Sequence, residues 1–298
     1  MTGPAEAATP VPGPVLPAAF DENKTIQFRC RKGIGCWNAC CSNIDISLTP
    51  YDVLRLKKRV GLGSGDFLNL YTVPYEMEPD GMAGVKLRPV DGGTACRFMT
   101  PEGCAVYEDR PTACRYYPVA LLSMRKQGES VDRDSYALVK EPHCLGHEEP
   151  RTLTIAEYRK EQGVEEYDEL ARGWRQLVLK KKSAGPAIGK PSKASLQLFF
   201  MACYDIDRFR AFVTSEGFRE LYDIPPPEMD EALADDTSLM LFAFRFLRQA
   251  LFGEVTIRVH APAAHARLDR FRARAESRER EAADRRQAQQ DEAYGEPD

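Results

Sequence analysis

The chain has 298 residues, 43% of them hydrophobic, enough to bury a sizeable core and suited to one large or two small domains. Its 41 Lys and Arg against 45 Asp and Glu give a net charge of -4, without the basic excess of a nucleic-acid-binding domain, so nucleic acid is excluded as the main partner. The opening "MTGPAEAATPVPGPVLPAAF" has no basic n-region and is broken by Pro and Gly, so it reads as neither signal nor transit peptide, and a cytoplasmic location is expected.

Residues 1–20 are Pro/Ala-rich and read as a disordered tail. The pattern then predicts a domain over 21–150. Thr49 is set to cap a helix with Pro50 at its first position and Asp52 near the positive end of the dipole; "YDVLRLKKRV" follows, with Val53, Leu54 and Leu56 on one side, until Gly61 stops it. "GSGDFLNLYT" predicts a second short helix with Phe67, Leu68 and Tyr71 turned inward. "AGVKLRPV" alternates as a strand, "DGGTAC" supplies the turn that delivers Cys96, and "SYALVKE" near 135–141 reads as another strand.

A helical extension is expected over 151–182. It opens on the capping-box pattern "TIAE" at 154–157 and continues through "VEEYDELARGWRQLVLKKK", acidic early and basic late. The Lys-, Gly-, Pro- and Ser-rich stretch at 180–195 reads as a linker. A helical domain over 183–264 follows, in which "SLQLFFMACYDIDRFRAFV" and "SLMLFAFRFLRQALF" carry dense apolar faces suited to packing on each other. The most apolar run, 238–253, contains Arg245 and Arg248 and is shorter than the roughly 20 residues that cross a bilayer, so no membrane span is expected. Residues 265–298 alternate charges and read as a solvated helix ending in a disordered tail. The expected fold class is α+β, a small cysteine-rich metal-binding domain followed by a mainly helical region.

Eight of the nine cysteines fall between positions 30 and 144. Cys30, Cys36, Cys40 and Cys41 form a first set; Cys96, Cys104, Cys114 and Cys144 form a second. In a reducing compartment such clustering points to metal ligation or catalysis in preference to disulfides. Thiolates are soft ligands, and four of them satisfy one zinc or one cubane of iron and sulfide. Neither the C-x2-C zinc knuckle nor the C-x2-C-x2-C ferredoxin run is present. The adjacent pair Cys40 and Cys41 would face opposite ways in an extended segment, which leaves open whether they serve different sites or only one ligates. Arg29, Arg31, Lys32, Arg97, Arg110 and Arg115 stand close to these thiols in sequence and would offset the negative charge of a thiolate site.

The segments "FRCRKGIGCWNACC", "GTACRFMTPEGCAVYEDRPTACRYYP" and "HCLG" resemble the bacterial CxxCxxCC (YkgJ-type) cysteine-cluster family, described as zinc- or iron-chelating, over roughly residues 26–150. The second set follows the family pattern through Cys96, Phe98, Cys104, Val106, Tyr107, Arg110, Pro111, Cys114, Arg115, Tyr117 and Pro118. The first departs from it, with gaps of five and three residues where the family has two and two. The resemblance implies a metal or iron–sulfur centre held by the eight cysteines. It also implies that Arg110 and Arg115 bind at the cofactor through charge-assisted hydrogen bonds to sulfur or to carboxylates such as Glu108 and Asp109. A related cysteine core occurs in flagellin lysine methylases, which gives an enzymatic alternative, an iron–sulfur transferase.

A 4Fe-4S type cluster is favoured over zinc because eight thiols exceed what one closed zinc site uses; a metal-free thiol redox sensor is the third reading. Cys203, on an apolar face, reads as core packing, and His143 and His147 stay outside the ligand set. Trp37 reads as a shield of the site from water or the cap of a small core. "GLGSG" at 61–65 follows a helix, so it reads as a turn and not as a nucleotide loop. No catalytic residue, substrate or protein partner follows from the sequence.

Overall fold

The computed structural model describes residues 19–77, 81–124, 133–183 and 191–260, together with His265 and Asp269. The expected N-terminal tail to residue 18, the centre of the expected linker at 184–190 and nearly all of the expected charged helix and tail lie outside the described residues.

The sheets are small and antiparallel. Strand β1 (Thr25–Gln27) pairs with β9 (Thr152–Thr154), Ile26 opposite Leu153. Strand β4 (Met82–Leu87) lies between β2 (Ser47–Leu48) and β3 (Thr72–Met77). Two further ribbons complete the set, β5 (Met99–Thr100) with β6 (Gly103–Cys104) and β7 (Val119–Met124) with β8 (Arg133–Leu138). Together with the helices they make an α+β fold, as the sequence pattern implies.

Helix α1 (Pro50–Val60) begins and ends as its sequence predicts. Thr49 and Asp52 form a reciprocal capping box, and Gly61 closes the last turn at φ +72°, where a side chain would be strained. Val53, Leu54 and Leu56 are buried. In α2 (Ser64–Tyr71) Phe67 and Leu68 are buried, and Tyr71 stacks between the rings of Phe67 and Phe98 at centroid distances of 5.4 and 5.3 Å. The short α3 (Thr112–Tyr116) carries Cys114. Helix α4 (Ile155–Gln162) opens on the predicted box of Thr154 and Glu157, and α5 (Val164–Ser183) runs acidic to basic.

The apolar stretch after residue 193 divides at Asp205 into α6 (Lys193–Tyr204) and α7 (Ile206–Val213), because the Asp205 carboxylate caps the second helix at the amide of Arg208. Helices α8 (Glu216–Leu221), α9 (Pro226–Leu233) and α10 (Asp236–Phe252) follow. No helix among the described residues is long and apolar enough to cross a membrane.

The main core joins the two halves of the chain. Leu48, Val53, Leu56, Phe67, Val85 and Phe98 from the first half share it with Phe199, Phe209, Leu239 and Phe246 from the later helices. Each fully buried side chain of this size stabilises the fold by about 2 kcal/mol, so the helices stand as a wall of the cysteine-bearing part. Lys57 of α1 reinforces the junction, with Nζ 2.7 Å from Asp236 of α10 and 3.3 Å from Asp207 of α7. A second core, with Ile26, Phe28, Tyr116, Val119, Tyr136, Leu153 and Tyr158, lies between the β1–β9 and β7–β8 ribbons.

Candidate metal centre

Residues 28–46 hold the first four cysteines and form a succession of tight turns. Phe28, buried, donates its amide to the Arg151 carbonyl, and the Arg29 amide donates to the Gly146 carbonyl at 3.0 Å, which sets Cys30 beside the turn that carries Cys144. Gly146 permits this approach: a Cβ there would stand 2.5 Å from the Phe28 ring. Next come backbone bonds from Trp37 to Ile34, Ala39 to Cys36 and Cys41 to Asn38. Asn38 holds the left-handed conformation, φ +65°, and anchors the turn by donating its side-chain amide to the Thr100 carbonyl at 2.8 Å.

Cys40 and Cys41 lie in a 3-10 turn (Ala39–Cys41), not in an extended segment. This corrects the premise that their side chains point opposite ways: backbone bonds close the turn at this point, and the two sulfurs are 3.9 Å apart. The Cys41 carbonyl accepts the amide of Cys96 at 2.8 Å, and Cys104 pairs with Met99 in the β5–β6 ribbon directly beyond Cys96. The Leu145 amide donates to Cys36 Sγ at 3.3 Å and the Phe98 amide to Cys96 Sγ at 3.4 Å. All the cysteines are free thiols.

The α3 segment that delivers Cys114 is held from behind by Asp52, which is wholly buried. One carboxylate oxygen accepts the Thr112 amide at 2.8 Å and the Thr112 hydroxyl at 2.7 Å, while the other accepts the Thr49 amide at 2.8 Å. The capping role of Asp52 is readable from its place in the first turn of α1. Its bond to a helix start 60 residues later carries no local signal.

The two arginines form a different network from the expected one. Arg110 donates to the Tyr107 carbonyl and to the Gln162 side chain, with its guanidinium 4.0 Å over the Tyr107 ring. Arg115 donates to the carbonyls of Arg110, Glu108 and Gln162 and to the Tyr167 hydroxyl. None of these bonds reaches sulfur or a carboxylate. Asp109 is taken instead by Arg55 at 2.6 Å and by Arg59 at 3.7 Å, and the planar guanidinium forks satisfy carbonyls that the loop leaves open. Arg110 still stands near enough to pull the thiol pKa values of Cys30 and Cys104 down against other influences.

Burial, then the neighbouring thiols of Cys40, Cys36 and Cys144, pushes Cys30 up to about 11. Cys114 is raised by burial first and then by Cys96, Cys104 and the Asp52 charge; Cys96 and Cys104 are raised by burial as well. In the adjacent pair, the hydrogen bond between the sulfurs holds Cys40 below the ordinary thiol range and Cys41 above it. Cys30, Cys41, Cys96, Cys104 and Cys114 thus feel other thiols as potential anions, an arrangement that a cation would relieve. Cys203 is 3% exposed in the main core and shifted by burial alone, in keeping with a packing role.

Among the described residues, no group of three or more His, Cys, Asp or Glu side chains is placed to hold a metal ion. The fit therefore rests on donor chemistry: eight soft thiols grouped on neighbouring turns, with unsatisfied polar atoms around them. Trp37 Nε1, Tyr117 Oη and His147 Nδ1 are buried without hydrogen-bond partners, and the Tyr117 hydroxyl lies near the Cys144 thiol and Glu141. Orphaned buried groups are rare and point to a missing partner. The Trp37 ring covers Gly103, where φ is +129° and a Cβ would stand 3.0 Å from the ring, so Trp37 closes over the β5–β6 ribbon. His147 packs on Phe28 with Nε2 3.1 Å from the Val139 carbonyl, while His143 is 3.6 Å from Glu141.

An open cleft of about 760 Å³ lies along one face of α1 and the start of α10, lined by Tyr51, Arg55, Lys58, Arg59, Asp109 and Asp236 among others. Two of its acids are spent on internal pairs, Asp109 on Arg55 and Arg59 and Asp236 on Lys57 and Arg210, and the third, Asp235, caps α10 at the Ser238 amide.

Grouped thiols on closed turns, walled by helices, define a cysteine-cluster metal-binding domain. Residues 29–158 match the family model CxxCxxCC, described as "Putative zinc- or iron-chelating domain", and this part of the chain is similar to that family. No curated protein and no solved structure matches the chain.

Proposed function

We propose that this protein holds an iron–sulfur centre of the 4Fe-4S type through Cys30, Cys36, Cys40, Cys41, Cys96, Cys104, Cys114 and Cys144, and that it works in the cytoplasm, where thiols stay reduced. The observation that carries this reading is the donor set: eight free thiols on adjoining turns, no histidine or carboxylate bonded to any of them in the described hydrogen bonds, and backbone amides already donating to two of the sulfurs. Such amide-to-sulfur bonds tune an iron–sulfur centre and stabilise its negative charge. When bound, the cluster supplies one-electron redox chemistry. The chain's own residues then exclude water through Trp37, supply N–H donors from Phe98 and Leu145, and offset charge through Arg110.

Zinc is the second reading, favoured by one observation. The first four cysteines sit in a segment with almost no regular structure, where a structural ion would contribute folding energy directly. Replacing Cys36 or Cys114 by Ser separates binding from bystander thiols: each variant loses metal if the reading is right, and unchanged metal content in both contradicts it. Dithionite then separates the metals, since reduction bleaches the visible absorption of an iron–sulfur centre and leaves a zinc protein unaltered.

A further inference from the structure

We infer that the cleft between α1 and the start of α10 is a binding site for a small organic phosphate, its phosphoryl group held by Lys58, Arg59 and Thr237. This goes beyond the metal reading and rests on none of the cysteines.

The sequence of α1 builds one wall. Tyr51, Leu54, Arg55, Lys58 and Arg59 recur at the three- and four-residue spacing of a single helix face, and all five line the cleft. Tyr51 and Leu54 are buried and make its floor, while Lys58 and Arg59 are exposed.

The three cations of this wall are unequally committed. Arg55 is fully engaged: Nε and one terminal nitrogen donate to Asp109, the other donates to the Tyr51 hydroxyl at 3.2 Å, and Glu166 stands 3.8 Å away. Arg59 meets the second oxygen of Asp109 only at 3.7 Å, with 46% of its side chain exposed. Lys58 has no hydrogen-bond or ion-pair partner among the described residues.

The opposite wall adds a donor. Thr237 lines the cleft from the first turn of α10, half-buried, and its hydroxyl also has no partner among the described residues. That turn is the positive end of a 17-residue helix, whose dipole favours an anion. The two carboxylates of this wall turn to internal partners: Asp236 is held by Lys57 and Arg210, and Asp235 accepts the Ser238 amide.

Charge and size then select the ligand. One free cation, one loosely held cation and a hydroxyl across from them offer more donors than a single carboxylate uses. They suit the three terminal oxygens and second negative charge of a phosphate monoester. The cleft volume of about 760 Å³ lies in the range of small-molecule sites and exceeds a lone phosphate, so the ligand carries an organic body over Tyr51 and Leu54.

The test is calorimetric titration of the full chain at low ionic strength with phenyl phosphate, inorganic phosphate and acetate, since salt screens exposed charges. Phenyl phosphate should saturate with a Kd below about 1 mM, more tightly than inorganic phosphate, and acetate should not compete at equal concentration. Lys58→Gln combined with Arg59→Gln should weaken phenyl phosphate by more than about tenfold, and Thr237→Val should weaken it by about threefold, with the circular dichroism unchanged. If the double variant loses its helical signal, Lys58→Gln alone decides, with an expected loss of at least about threefold. Phenyl phosphate that fails to saturate by about 10 mM, or binds the Gln variants as it binds wild type, overturns the site. Acetate that competes as well as inorganic phosphate overturns the phosphoryl assignment, and inorganic phosphate that binds as tightly as phenyl phosphate overturns the organic body.

Discussion

Asp52 shows how one side chain can govern the site without touching metal. Its two oxygens accept from Thr49 and Thr112, so it joins the start of α1 to the segment that delivers Cys114. Asp52→Ala is expected to cost about 3 kcal/mol, since three bonds to the buried carboxyl vanish and the half-buried amides of Thr49 and Thr112 lose their partner. Urea unfolding of the metal-free protein measures this, and a loss under about 0.5 kcal/mol would contradict the role. Gly103 is the second sensitive position. Its φ of +129° and the Trp37 ring against its Cα predict that Gly103→Ala destabilises by more than about 1 kcal/mol, visible as a lower thermal midpoint. At this scale the candidate donors stood out in the sequence, because clustering of a rare residue type is itself a signal. It did not show the turn at Asn38, the orphaned Trp37 and Tyr117 groups or the carbonyl-binding role of Arg110 and Arg115, all of which arise from contacts between distant segments.

Helix boundaries were legible because capping is local. The boxes at Thr49 and Thr154 and the stop at Gly61 are written in four-residue patterns. The strands β3 and β7 were not anticipated, since Pro74 breaks the expected pattern in one and each is completed only by its partner strand. Between elements, Lys57 clamps α1 to α7 and α10. Burial raises the carboxyls of Asp207 and Asp236, but hydrogen bonds outweigh it, from the Ser64 amide and Lys57 for Asp207 and from Lys57 and Arg210 for Asp236, so both lie below the usual range. A depressed folded-state pKa adds stability above the unfolded value of about 4, which is lost as pH falls through the folded value. Acid titration of the wild type should therefore show a fall in stability below about pH 4, and Asp236→Asn should flatten that fall. An unchanged acid limb in the variant would contradict the clamp.

At the scale of the molecule, the α+β class and the cysteine-rich first half were apparent from composition and spacing. The continuity of the main core was not, because Phe199, Phe209 and Phe246 read equally well as the core of a separate helical unit. Since the helices form one wall of the cysteine-bearing part, metal binding and global stability should be coupled. Stripping the metal with a chelator is expected to lower the unfolding temperature of the whole chain in one transition, by several degrees; a second transition that ignores the metal would show the helices to be thermally independent.

The most direct measurement is the iron, zinc and acid-labile sulfide content of protein purified without oxygen and without a metal-binding tag, taken with its visible spectrum. Brown protein with iron and sulfide in similar amounts is expected. Colourless protein with zinc and no sulfide would contradict the iron–sulfur assignment while keeping the thiol site, and protein that carries neither metal would contradict the site as well.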